Sequence, residues 1–146
     1  MKELKRILLI VFLFTGLSSF SQSSLNEIVK NYNSQTPIDF GELSLTSVQY
    51  NDLYFSYTYR YKSLKQEWDE NARFGAVMFQ GSEILKSINK LTEFRTIRKS
   101  GKKIAYIYND NRGERIYGII FKIKDGQYEV DVEHTFKISN ITAPKK

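Results

Sequence analysis

The spacing of apolar and polar residues changes period several times along the chain, and each change marks an element. Ser24 followed by Glu27 has the form of a capping box, and Leu25, Ile28, Val29 and Tyr32 fall on one helical stripe. That pattern predicts a short amphipathic helix over 25–33, ended by Pro37. The period then drops to two. Residues 43–50 and 53–61 predict two strands joined at Asn51-Asp52, a pair that tolerates the backbone of a tight hairpin turn. In the second strand Leu53, Phe55, Tyr57, Tyr59 and Tyr61 share one face, and Ser56, Thr58 and Arg60 share the other. In the first, Leu43 and Leu45 are out of phase with Val48 and Tyr50, which predicts a bulge near Thr46-Ser47.

Helical spacing returns from Trp68 to Leu91, where Ala72, Val77, Leu85, Ile88 and Leu91 approach one face and Asp69 and Glu70 suit a helix start. Gly81 weakens that helix by about 1 kcal/mol relative to alanine and marks a bend, a break or a close approach to a sheet. After a basic stretch at 95–103, residues 104–108 and 115–123 predict strands around a polar loop at 109–113. Asp125-Gly126 is the strongest hairpin signal in the chain. Beyond it Tyr128, Val130, Val132, His134, Phe136 and Ile138 alternate with Glu129, Asp131, Glu133, Thr135 and Lys137, predicting a long final strand with an acidic outer face. The order α-β-β-α-β-β-β implies an α+β fold: a two-layer sandwich, with an antiparallel sheet of about five strands and helices on one face.

The N-terminus follows a different logic. In residues 1–21 Lys2, Lys5 and Arg6 precede an apolar run over 7–17, and Ser19 and Ser21 supply the small residues a signal peptidase needs, with cleavage expected after Ser21. The apolar run is shorter than the roughly 20 residues a helix needs to span hydrocarbon, so 1–21 reads as a secretory signal peptide and 22–146 as a single α+β domain. The expected location is periplasmic or secreted, with no transmembrane anchor after cleavage. The ending Ser19-Phe20-Ser21-Gln22 resembles that of bacterial signal peptides.

Composition removes several chemistries. Cysteine is absent and His134 is the only histidine of the 146 residues, so thiol catalysis, iron–sulfur binding and ordinary zinc sites are disfavoured, and no cofactor is expected. Strand parity would align His134 with Val132 and Phe136, away from the place a catalytic base needs. Glu129, Asp131 and Glu133 would share one strand face, a spacing compatible with paired-carboxylate hydrolysis, but alternation with apolar residues also makes them a solvated face. The loop Asn109-Asp110-Asn111-Arg112-Gly113-Glu114 offers hard oxygen ligands, yet its glycine is misplaced for a calcium loop and Arg112 brings positive charge.

Charge is more informative than motif. The formal net charge is +6, and residues 86–124 hold eleven basic groups against three acids. Arg95, Arg98, Lys99, Lys102 and Lys103 place five cations within nine residues. Such a patch attracts phosphate, acidic glycans, anionic headgroups or an acidic protein. Nucleic acid is disfavoured, because no recognised binding motif accompanies the patch.

A resemblance adds a little. Pro37-Ile38-Asp39, then Leu45-Thr46-Ser47-Val48, Leu53-Tyr54-Phe55-Ser56-Tyr57, a helix, and Ile104-Ala105-Tyr106-Ile107-Tyr108 ahead of Gly113 resemble small exported bacterial proteins of uncharacterised function, over residues 25–123. The resemblance implies an exported α+β domain and carries no activity. The expected function is therefore that of an exported, non-enzymatic binding protein whose basic patch meets an unknown protein or an anionic envelope component. The alternative is a small-ligand or hydrolytic domain with a cystatin-like curved sheet, lined by Tyr57, Tyr59, Tyr106 or His134.

Overall fold

A computed structural model describes residues 24–143, so the leader and cleavage site expected at 1–21 lie outside the described residues. Helix α1 (Leu25–Asn33) begins as its sequence requires: the Ser24 hydroxyl accepts from the Glu27 N–H, and the Glu27 carboxylate accepts from the Ser24 N–H. Six strands follow one another across one sheet in chain order: β1 (Ile38–Asp39), β2 (Leu43–Tyr50), β3 (Tyr54–Tyr61), β4 (Lys103–Asn109), β5 (Arg115–Lys124) and β6 (Gln127–Val130). The β2–β3 hairpin forms, with its predicted register slip between Leu45 and Ser47, but its turn takes in Leu53, which alternation places on the face of Phe55 and Tyr57 and which is exposed instead. The slip returns Val48 to the buried side occupied by Leu43 and Leu45.

Four expectations are corrected. The sheet has six strands, because two-residue β1 pairs with Leu45 and Ser44. It is not wholly antiparallel either: β3 and β4 run parallel, Tyr54 opposite Lys103, so the chain between them must cross back over the sheet. That crossover holds α2 (Glu70–Ile88), capped by the Asp69 side chain accepting from the Ala72 N–H, and α3 (Thr92–Lys99), which carries most of the basic stretch on a helix of its own. Gly81 is a close approach: a Cβ there would lie 3.7 Å from Ile119 and 3.9 Å from Val130.

The third correction concerns the last segment. Strand β6 stops at Val130, and Asp131 caps a helix, α4 (Val132–Ser139), by accepting from the His134 N–H. Alternation over 128–138 fits a strand, but Thr135 and Ser139 lie four apart and stack on one side of a helix. There they replace a strand. The N–H groups of Ile120 and Gly118 on β5 donate to the Thr135 and Ser139 hydroxyls at 2.9 and 3.0 Å, and Ser139 donates back to the Gly118 carbonyl at 2.8 Å. Helix α4 thus seals the edge that β6 leaves bare, which an open sheet needs to avoid pairing with another chain. Its Ile138 fills the space over Gly118 where a Cβ would overlap it, on the face opposite Gly81, so helices are not confined to one face.

The core lies on the face under α1, α2 and α3. Tyr57 and Tyr106 stack at 5.0 Å, Tyr59 and Tyr108 at 5.2 Å, and Tyr108 and Tyr117 at 4.5 Å, so aromatic rings run across three strands. Each such pair contributes roughly 0.5–1.5 kcal/mol beyond burial. Their polar ends are satisfied internally where Gln80 donates to the Tyr61 hydroxyl, Tyr117 donates to the Gln80 carbonyl, and the two hydroxyls share a 2.8 Å hydrogen bond.

Candidate functional site

Because β3 and β4 start side by side, the turn that opens β3 and the basic segment that opens β4 form one end of the sheet. The turn is tightly tied. Asn51 Oδ1 accepts from the N–H groups of Leu53 and Tyr54, both at 2.8 Å, and the Asn51 N–H donates to the Tyr54 carbonyl at 2.9 Å. Lys102 Nζ donates to the carbonyls of Asn51 and Asp52 at 2.6 and 3.2 Å, and the Lys103 N–H donates to the Leu53 carbonyl at 2.9 Å. What the turn offers outward is apolar: Leu53 is 67% exposed and Tyr50 38%. The Tyr50 ring lies parallel to Phe55, its hydroxyl donates to Asn26 Oδ1 at 2.6 Å, and the Lys102 ammonium sits 5.4 Å from its centre.

The five cations of the sequence patch are divided by this geometry. Arg95 and Lys99 are exposed, one turn apart on α3. Arg98 is half-buried, its guanidinium 6.0 Å from the Tyr128 ring and its Nη1 buried without a hydrogen-bond partner. Lys102 is the strut of the turn. Lys103 points to the other face, 6.0 Å from the Tyr54 ring and 3.5 Å from Asp131 Oδ2. Lys102 is thus brought to Leu53 and Tyr50, while Arg98 and Lys103 diverge to opposite faces.

The remaining candidates fall elsewhere. His134 Nδ1 lies 2.9 Å from Asp131 Oδ2. Burial works against the charged form of Asp131, but the bonds from His134 and the Lys103 charge outweigh it and hold the carboxyl below its ordinary value. Glu129, Asp131 and Glu133 do not share a strand face: Glu129 on β6 meets Lys122 and Lys124, Asp131 caps α4, and Glu133 lies in its first turn. Asp110 spends its carboxylate on the backbone, accepting from Arg112 and Glu114 at Oδ1 and from Lys65 at Oδ2.

Tyr57, Tyr59 and Tyr106 do come together, with an acid the sequence reading passed over. Glu93, in the first turn of α3, accepts from the Tyr32 hydroxyl at 2.7 and 2.9 Å and from Tyr57 at 3.5 Å. Burial pushes its carboxyl above the ordinary range, offset in part by these two hydroxyls. Only the parallel pairing of β3 and β4 and the packing of α3 create this cluster, so no local sequence signal marks it. His134 belongs to the Lys103 side of the sheet.

No family model and no curated protein matches the sequence. Among solved structures, the chain is similar to a Pseudomonas aeruginosa protein provisionally described as secreted, at 11% identity and TM-score 0.56, over 67% of this chain and 85% of that one. That likeness is one of fold. Lower scores relate it to a type 2 secretion system pilotin from Vibrio vulnificus (12% identity, TM-score 0.46, 64% and 80% of the two chains). A Vibrio cholerae type II secretion system pilotin scores similarly (13% identity, TM-score 0.44, 66% and 83%). Both fall below the score at which a common architecture can be asserted. Among the described residues, no helix is long and apolar enough to cross a membrane.

Proposed function

We propose that the protein is an exported, non-enzymatic binding protein that meets an acidic partner of the envelope through the sheet end built by residues 50–54 and 95–103. The observation that carries this reading is Lys102, three residues beyond the exposed Lys99 of α3, bracing the turn that presents Tyr50 and Leu53, with Arg95 exposed one turn earlier on the same helix. Export itself rests on the leader pattern at 1–21. A surplus of one charge sign on an accessible surface steers association with the opposite sign.

The alternative, a ligand pocket or hydrolase on a curved sheet, finds an acid in Glu93 beside Tyr57. Against it, Tyr57, Tyr59 and Tyr106 are 3–7% exposed, and Tyr106 stacks on Tyr57 at 5.0 Å and on Tyr59 at 6.2 Å, which fills the ground a ligand would occupy. His134, the only imidazole, stands on the other side of the sheet.

Retention on a polyglutamate matrix tests the charge reading. The wild type is expected to bind and to elute with salt, and Arg95→Glu with Lys99→Glu is expected to flow through, with the same loss in pull-downs from envelope extracts. Unchanged retention by the double variant removes this surface from the function.

A further inference from the structure

Taking that sheet end as the binding surface, and resting on that reading, we propose that its partner is an anionic lipid surface, entered by Leu53 while Arg95, Lys99 and Lys102 lie among the headgroups. Three observations converge. Leu53 is the most exposed large hydrophobic residue among those described, and it stands at the tip of a hairpin rather than on a face another element could cover. The peptide groups behind it are engaged within the protein: the N–H groups of Leu53 and Tyr54 on Asn51 Oδ1, the carbonyls of Asn51 and Asp52 on Lys102, and that of Leu53 on the Lys103 N–H. An irregular turn leaves water at a cost when its backbone groups are open, so this bracing lowers the cost of seating Leu53 among apolar chains. Flanking the tip are tyrosines with lysines against their rings, Tyr50 under Lys102 and Tyr54 near Lys103. Amphipathic tyrosine rings suit the headgroup level.

Charge decides between lipid classes. A zwitterionic surface carries no net charge to attract Arg95, Lys99 and Lys102, whereas each cation near an anionic leaflet strengthens binding about fivefold. Asp52 is the acid of the turn and opposes the contact. The exposed apolar residues of α2, Phe74, Met78 and Phe79, serve as the control surface.

The chain's lack of cysteine allows single-site labelling. Leu53→Cys and Met78→Cys, each carrying an environment-sensitive fluorophore, are made in the protein as recovered after export and mixed with vesicles of phosphatidylcholine alone or with added phosphatidylglycerol. The label at 53 is expected to brighten and shift to the blue with phosphatidylglycerol only, and the label at 78 to stay silent. Arg95→Gln with Lys99→Gln should weaken the response at 53 about 25-fold, and Asp52→Asn should strengthen it. A silent label at 53, or a response at 78 instead, overturns the proposal. If 53 is silent while polyglutamate still retains the protein through Arg95 and Lys99, the lipid assignment falls and the acidic-partner reading stands. If polyglutamate retention also fails, both fall.

Discussion

The two ends of the sheet solve the same backbone problem and then diverge. At the far end, Asp110 gathers the N–H groups of Lys65, Arg112 and Glu114, and Asn111 donates through Nδ2 to the Lys62 carbonyl, stitching the 110–114 loop to the segment after β3. At the near end, Asn51 gathers the N–H groups of Leu53 and Tyr54, and Lys102 gathers two carbonyls. The far end turns its apolar group inward: Trp68 packs on Tyr61 and Tyr117, with its indole N–H donating to Ser63. The near end turns Leu53 outward. A braced turn is thus used once to close the fold and once to hold an apolar side chain in water.

The contrast breaks most visibly at Asp110. Asp110→Ala leaves three N–H groups without their acceptor and is expected to give the largest fall in the urea midpoint of any substitution considered, whereas Asn51→Ala exposes two N–H groups to water and should cost only about 0.5–1.5 kcal/mol. The acid dependence has a definite sign. Burial disfavours the Asp110 carboxylate, but the N–H groups of Glu114, Lys65 and Arg112 outweigh it, so its folded value lies below the ordinary 3.8. Its contribution is complete above that ordinary value and is lost as pH falls through the lower folded one. Wild type and Asp110→Asn should therefore converge in stability as pH is lowered below about 4. Parallel curves from pH 7 to pH 2 would show that the carboxylate's charge is not what stabilises the far end.

A smaller effect is expected where α4 seals β5. Ser139→Ala removes the partner of both the N–H and the carbonyl of Gly118, and Thr135→Val removes that of the Ile120 N–H. Each is expected to destabilise by about 1–3 kcal/mol and to speed hydrogen exchange at residue 118 or 120 specifically. If neither amide changes its exchange, the hydroxyls are not standing in for a strand.

The same segment explains what the sequence could and could not disclose. The β2–β3 hairpin, its bulge and the Asp125-Gly126 turn are written in spacings of a few residues, and each appears where its pattern places it, whereas Gly81 left a bend, a break and a close approach open until the packing against Ile119 and Val130 selected the last. Asp125 and Gly126 both take positive φ, as that turn demands. The final helix was hidden because alternation from Tyr128 to Ile138 suits a strand equally well, and the meaning of Thr135 and Ser139 depends on an edge contributed by β5. Likewise the five cations were legible as a list. That Lys102 would brace the turn at Asn51, and that Lys103 would turn away to Asp131, follows only from a parallel pairing between segments some fifty residues apart. Glu93 among tyrosines was hidden for the same reason.

The smallest expected effect sharpens the comparison most. Leu53→Ser, and Arg95→Gln with Lys99→Gln, alter exposed side chains that neither fill the core nor hold the turn, so stability should stay within about 0.5 kcal/mol of wild type in urea unfolding. A far-end substitution is read in folding, and these are to be read only in binding. Serine is the informative replacement at 53, because it keeps the β2–β3 turn open to the same backbone bonds while removing the apolar tip. Should Leu53→Ser unfold the protein at a clearly lower urea concentration, Leu53 would be packing against something in the folded state. The near end would then be a second closure of the fold, and the asymmetry between the two ends, on which a contact role at Leu53 rests, would disappear.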